Sequence, residues 1–99
     1  MRMVVVDDSE MMRGLIFEIV EGIPWIEIVG EARDGKEGLA MIRSLKPDLV
    51  TLDITMPGMG GIEVLKVLQE EGVAVRVFVL TALNSAEIRR KCFELGQLA

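Results

Sequence analysis

Residues 3–9 read Met3-Val4-Val5-Val6-Asp7-Asp8-Ser9. Four apolar residues run without a break and stop at two carboxylates and a hydroxyl. A short apolar run with polar bounds reads as a strand covered on both faces, and its valines favour that assignment. Ser9 is a residue type that caps helix N-termini, by accepting from a backbone N–H of the first turn. Met12, Leu15, Ile16, Ile19 and Val20 then fall at i, i+3, i+4, i+7 and i+8. That spacing predicts a helix over residues 10–21 with these five side chains turned inward. Gly22 and Pro24 end it.

The same strand-then-helix unit recurs along the chain. Ile26–Ala32 reads as a second strand. Asp34 followed three residues later by Glu37 resembles a capping box, and Leu39, Ile42 and Leu45 mark a second helix that Pro47 stops. Leu49–Leu52 is a third apolar strand ending at Asp53. Residues 54–61 form a loop by their Pro and Gly content. Ile62, Leu65 and Leu68 mark a third helix closed by Gly72. Val75–Leu80 is a fourth strand ended by Thr81. Asn84 or Ser85 caps a fourth helix, with Ile88, Cys92 and Leu95 inward and Gly96 as its stop. The expected fold is α/β, a (βα)4 chain with a parallel sheet between helical layers. Right-handed crossovers place every strand's C-terminal end on one edge, where open α/β sheets hold their ligands.

The 99 residues allow one domain. Eleven Lys and Arg against 16 Asp and Glu give a net charge of −5, which argues against a nucleic-acid partner. The absence of histidine excludes a His-ligated zinc site and a Ser-His-Asp triad. Cys92 is the one cysteine, so no intramolecular disulfide forms. No apolar run approaches the ~20 residues that span a bilayer, and Asp7 and Asp8 cut short the signal-like start, so the expectation is a cytoplasmic protein.

Strand ends bring Asp7 and Asp8, Asp53, and Thr81 to the one edge. Each alone is an ordinary strand-end residue. Together they place three carboxylates side by side, and a hard divalent cation relieves their repulsion. With oxygen donors only, Mg2+ is the natural choice, with Mn2+ or Ca2+ as alternatives. A carboxylate beside such an ion can attack a phosphoryl group and form an aspartyl-phosphate. Thr81 could donate a hydrogen bond to a phosphoryl oxygen.

The motifs Val4-Val5-Val6-Asp7-Asp8-Ser9, Gly30-Glu31-Ala32-Arg33-Asp34-Gly35, Pro47-Asp48-Leu49-Val50-Thr51-Leu52-Asp53, Met56-Pro57-Gly58-Met59 and Leu80-Thr81-Ala82 occur in this order. In that order the chain resembles the CheY-like receiver domain of two-component response regulators, most closely the chemotaxis-type receivers. The resemblance implies a flavodoxin-like fold with strand order 2-1-3-4. It implies Asp53 as phosphoacceptor, with Mg2+ held by Asp8, Asp53 and the backbone carbonyl of Thr55, and by Asp7 through water. Thr81 would sense the phosphoryl group, Ala82 would leave it access, and Pro57 would shape the loop. The phosphodonor would be a sensor histidine kinase. The protein would be a phosphoacceptor that assists its own phosphotransfer and dephosphorylation, not an enzyme acting on other substrates.

In the family a fifth strand, an invariant lysine and a fifth helix follow. The sequence stops at Ala99, and no basic residue follows Lys91. The expectation is therefore a truncated receiver over residues 1–99 with impaired phosphorylation. It would form a homodimer through the fourth-strand edge, Val75 to Leu80, or through a swapped element. The alternative is a receiver-like interaction or dimerisation module that has lost phosphorylation, or an engineered fragment. Trp25 is expected to cap the core, and the seven methionines to fill core and loops. Arg89-Arg90-Lys91 reads as a solvated helix face, Cys92 as an inert core residue, and Gly60-Gly61 as a loop needing backbone freedom.

Overall fold

The structure is a computed structural model that describes residues 1–54, 56 and 58–80. The expected fourth helix, with Ile88, Cys92, Leu95 and Arg89-Arg90-Lys91, lies outside the described residues. Within them strands and helices alternate as β1 (Arg2–Val6), α1 (Glu10–Glu21), β2 (Glu27–Ala32), α2 (Gly35–Leu45), β3 (Leu49–Asp53), α3 (Gly61–Glu70) and β4 (Arg76–Leu80). The four strands pair in parallel in the order β2-β1-β3-β4, the flavodoxin-like arrangement expected.

Local chemistry sets the helix starts. The Ser9 hydroxyl accepts from the Met12 N–H at 3.2 Å, and Asp34 Oδ1 accepts from the Glu37 N–H at 2.8 Å. Pro47 cannot continue α2, and Lys46 turns into the left-handed region (φ 48°) to close it. α3 begins at Gly61, and its N-cap Gly60 offers no side-chain hydrogen bond.

Alternate strand residues feed two cores, as a pleated strand requires. Val4, Val6, Val50, Leu52 and Val77 pack with Leu39, Ile42, Val64, Leu65 and Leu68 of α2 and α3. Met3, Val5 and Leu49 pack with Ile16 and Val20 of α1 on the opposite face. From Met3 to Val6, β1 is therefore apolar and buried because it is covered on both sides, and only Arg2 at its start is exposed.

Two expectations are corrected. Of the five inward positions of α1, only Ile16 and Val20 are buried; Met12, Leu15 and Ile19 are 38%, 46% and 67% exposed. α1 rests on β1 and β2, so its contact stripe is narrower than its apolar pattern. Trp25 is 66% exposed and does not cap the core. Its backbone carbonyl accepts from the Met1 amino group, which ties down the chain start. The methionines divide: Met3 and Met56 are core, whereas Met11 and Met12 are exposed.

Candidate functional site

Register brings the acidic residues together. Val6 of β1 is opposite Leu52 of β3, so Asp7 and Asp53 occupy the next rung on neighbouring strands. The Asp7 N–H continues the ladder by donating to the Ala32 carbonyl at 3.0 Å. One carboxylate oxygen from each of Asp7, Asp8 and Asp53 lies within 4.8 Å of the others. Asp7 is buried, Asp53 half-buried and Asp8 exposed.

Burial of a carboxylate is costly unless it is hydrogen-bonded. Asp7 Oδ1 accepts from the Ser9 N–H at 2.8 Å, which also fixes the turn that carries Asp8. Converging oxygens that run from the buried Asp7 to the exposed Asp8 suit a hard divalent cation. The donor set therefore fits Mg2+.

The loop after Asp53 is held by an unusually close backbone approach. The Gly61 N–H donates to the Ile54 carbonyl at 3.1 Å. A Cβ at Gly61 would overlap the Asp53 carbonyl oxygen and come within 2.8 Å of the Ile54 Cα. Gly61 is thus helical and required for closeness, not for loop freedom as its composition suggested. Gly58, with φ +74° and open space around it, is where the loop does use that freedom.

Sequence reasoning missed Arg13. Its Nη1 donates to the Asp7 backbone carbonyl at 2.6 Å, and its Nε lies 3.4 Å from Glu31 Oε1. The Arg13 side chain is only 13% exposed. A basic residue one turn into the helix after a paired carboxylate is the available signal, but its acceptor is a backbone atom and leaves no pattern. Thr55, Pro57, Thr81 and Ala82 lie outside the described residues.

At the opposite end, Arg43 of α2 holds Glu71 just beyond α3 in a two-pronged contact, with Nε donating to Oε1 at 3.0 Å and Nη2 to Oε2. The hydrogen bond from Arg43 is the main reason the Glu71 carboxyl sits below its ordinary value; Coulomb attraction adds to it and desolvation opposes. Among the described residues, no helix is long and apolar enough to cross a membrane.

Comparison with known proteins agrees with this fold. The chain is 40% identical over 99 residues to the protein-glutamate methylesterase/protein-glutamine glutaminase of Pyrococcus abyssi, covering 98% of this chain but 27% of that protein. The response regulator domain of Thermotoga maritima CheB superposes with a TM-score of 0.92 at 35% identity, covering 99% of this chain and 74% of that one. A chain of the Borrelia burgdorferi CheX-CheY-BeF3-Mg2+ complex gives 0.90 at 31% identity, covering 97% and 72%. A sequence model described as the response regulator receiver domain matches residues 3–98. With its strand order and its acidic sheet edge, the chain belongs to the response regulator receiver domain family.

Proposed function

We propose that Asp53 accepts a phosphoryl group from the phosphohistidine of a sensor histidine kinase, with Mg2+ held by Asp7, Asp8, Asp53 and the Thr55 backbone carbonyl. The observation that carries this reading is the meeting of three carboxylates within 4.8 Å on the strand edge. An Asp53 carboxylate oxygen forms the bond to phosphorus as the donor's P–N bond breaks. The electron pair of that bond stays on the imidazole nitrogen. Mg2+, when bound, offsets negative charge on the phosphoryl oxygens. Asp7 and Asp8 provide the carboxylates that hold it, and the Ser9 N–H and Gly61 keep the two strand ends in place. Thr81 is assigned the hydrogen bond to a phosphoryl oxygen, Ala82 the space beside it, and Pro57 the shape of the loop. The Borrelia relative's complex with BeF3 and Mg2+ supports the reading. The role is that of a phosphoacceptor, and the esterase activity named for the longer relatives is not assigned to this chain.

Beryllofluoride, a phosphoryl mimic, tests the site with Mg2+. We predict amide shifts centred on Asp7, Asp8 and Asp53, and their loss in Asp53→Asn. Shifts centred elsewhere, or none, contradict the assignment.

We also propose self-association through β4. Among the described residues β4 pairs with β3 alone, and Phe78 is 47% exposed. Such an edge is a template for another strand. Sedimentation equilibrium at micromolar concentration should show a dimer that Val77→Pro dissociates; a monomer in both contradicts the proposal.

A further inference from the structure

Arg13 touches the acidic site through the site's backbone. Its Nη1 donates to the carbonyl of the peptide unit that joins Asp7 to Asp8. That peptide's orientation sets where the Asp8 Cα stands relative to the Asp7 carboxylate. The guanidinium also reaches Glu31 of β2 through Nε, one residue before Ala32, whose carbonyl accepts from the Asp7 N–H. One mostly buried side chain thus joins the first turn of α1, the end of β1 and the end of β2.

We infer that Arg13 is a positioning residue that holds the Asp7–Asp8 peptide in the orientation a divalent cation needs, and that Glu31 neutralises it so that it does so without repelling the ion. The inference rests on the proposed cation site. Its physical basis is the mutual repulsion of the three carboxylates. Without an anchor, the exposed Asp8 would swing away from Asp7 and Asp53 in the ion-free protein, and binding would have to reverse that movement. Groups that orient metal ligands typically change affinity 10–100-fold when removed. The positive charge of Arg13 acts in the opposite sense, since a bare guanidinium beside the site lowers the local cation concentration. Glu31, 41% exposed, offsets that charge. The two residues therefore have separable signatures: loss of Arg13 removes the anchor, whereas loss of the Glu31 charge leaves the anchor but exposes the site to its field.

Mg2+ titration followed by amide NMR on the whole chain tests this. Arg13→Met keeps the apolar stem and removes the donors. We expect about tenfold weaker Mg2+ binding, with the Asp8 and Ser9 amides shifted before any ion is added. Glu31→Gln should weaken binding two- to threefold at low salt, an effect that about 0.5 M salt suppresses because the Debye length then shrinks to a few Å. Arg13→Lys, which retains one donor, should fall between wild type and Arg13→Met, and decides the matter where Arg13→Met does not fold. Wild-type Mg2+ affinity in the Arg13 variants, or tighter binding, overturns the inference while leaving the cation site intact. Absence of Mg2+ binding in wild type overturns the site and the inference together.

Discussion

The backbone of Gly61 lies against the carbonyl of Asp53 so closely that no side chain fits between them. The start of α3 is therefore built directly onto the end of β3, which clamps the backbone that carries the half-buried Asp53 carboxylate. The loop between them is short, and its Ile54 and Met56 side chains are part of the core.

Gly61→Ala should destabilise the fold by about 2–3 kcal/mol, because backbone atoms on both sides must move. Gly14→Ala is the control. It lies exposed in α1 with nothing within 4 Å of its Cβ position, and should gain about 0.5–1 kcal/mol from lower backbone entropy in the unfolded chain. Urea unfolding of the two variants checks both signs.

The orientation of α1 makes a second prediction. Ile16→Ala should cost about 2–4 kcal/mol, through lost burial and a residual cavity. Ile19→Ala, 67% exposed in the native protein, should change stability by less than about 0.5 kcal/mol. Equal costs in thermal or urea unfolding would mean that both residues face the sheet.

The Arg43–Glu71 contact makes stability depend on pH. The folded Glu71 value is lowered below its ordinary 4.5 by the hydrogen bond from Arg43. A depressed carboxyl value contributes stability above the unfolded value, and that contribution is lost as pH falls through the lower folded one. Acid unfolding of Glu71→Gln should therefore show a flatter dependence below about pH 4.5 than wild type, while the difference at neutral pH stays small because the pair is exposed. A steeper acid limb in the variant would contradict this.

How far the sequence revealed the fold varies by element. β1 and β3 were legible because strands covered on both faces are predominantly apolar, and Val4, Val5, Val50 and Leu52 meet that demand while Thr51 is only half-buried. The acidic site followed, since parallel register alone carries Asp7 and Asp53 to the same rung of neighbouring strands. The facing of α1 was not legible in full: five apolar positions mark a wide arc, and only contact with β1 and β2 selects Ile16 and Val20 from it. Trp25 misled because an aromatic beside proline looks like a lid, yet it is 66% exposed and it is its backbone carbonyl that holds the Met1 amino group. Gly61 and Arg13 act through backbone atoms of Asp53 and Asp7, and backbone acceptors have no residue signature.

The most direct test of the central claim is chemical mapping of the phosphorylated residue. The protein is incubated with acetyl phosphate and Mg2+, reduced with borohydride to trap any acyl phosphate, digested and read by mass spectrometry. The account predicts modification at Asp53, dependent on Mg2+ and absent in Asp53→Asn. Modification at another carboxylate, or labelling that survives in Asp53→Asn, would contradict it.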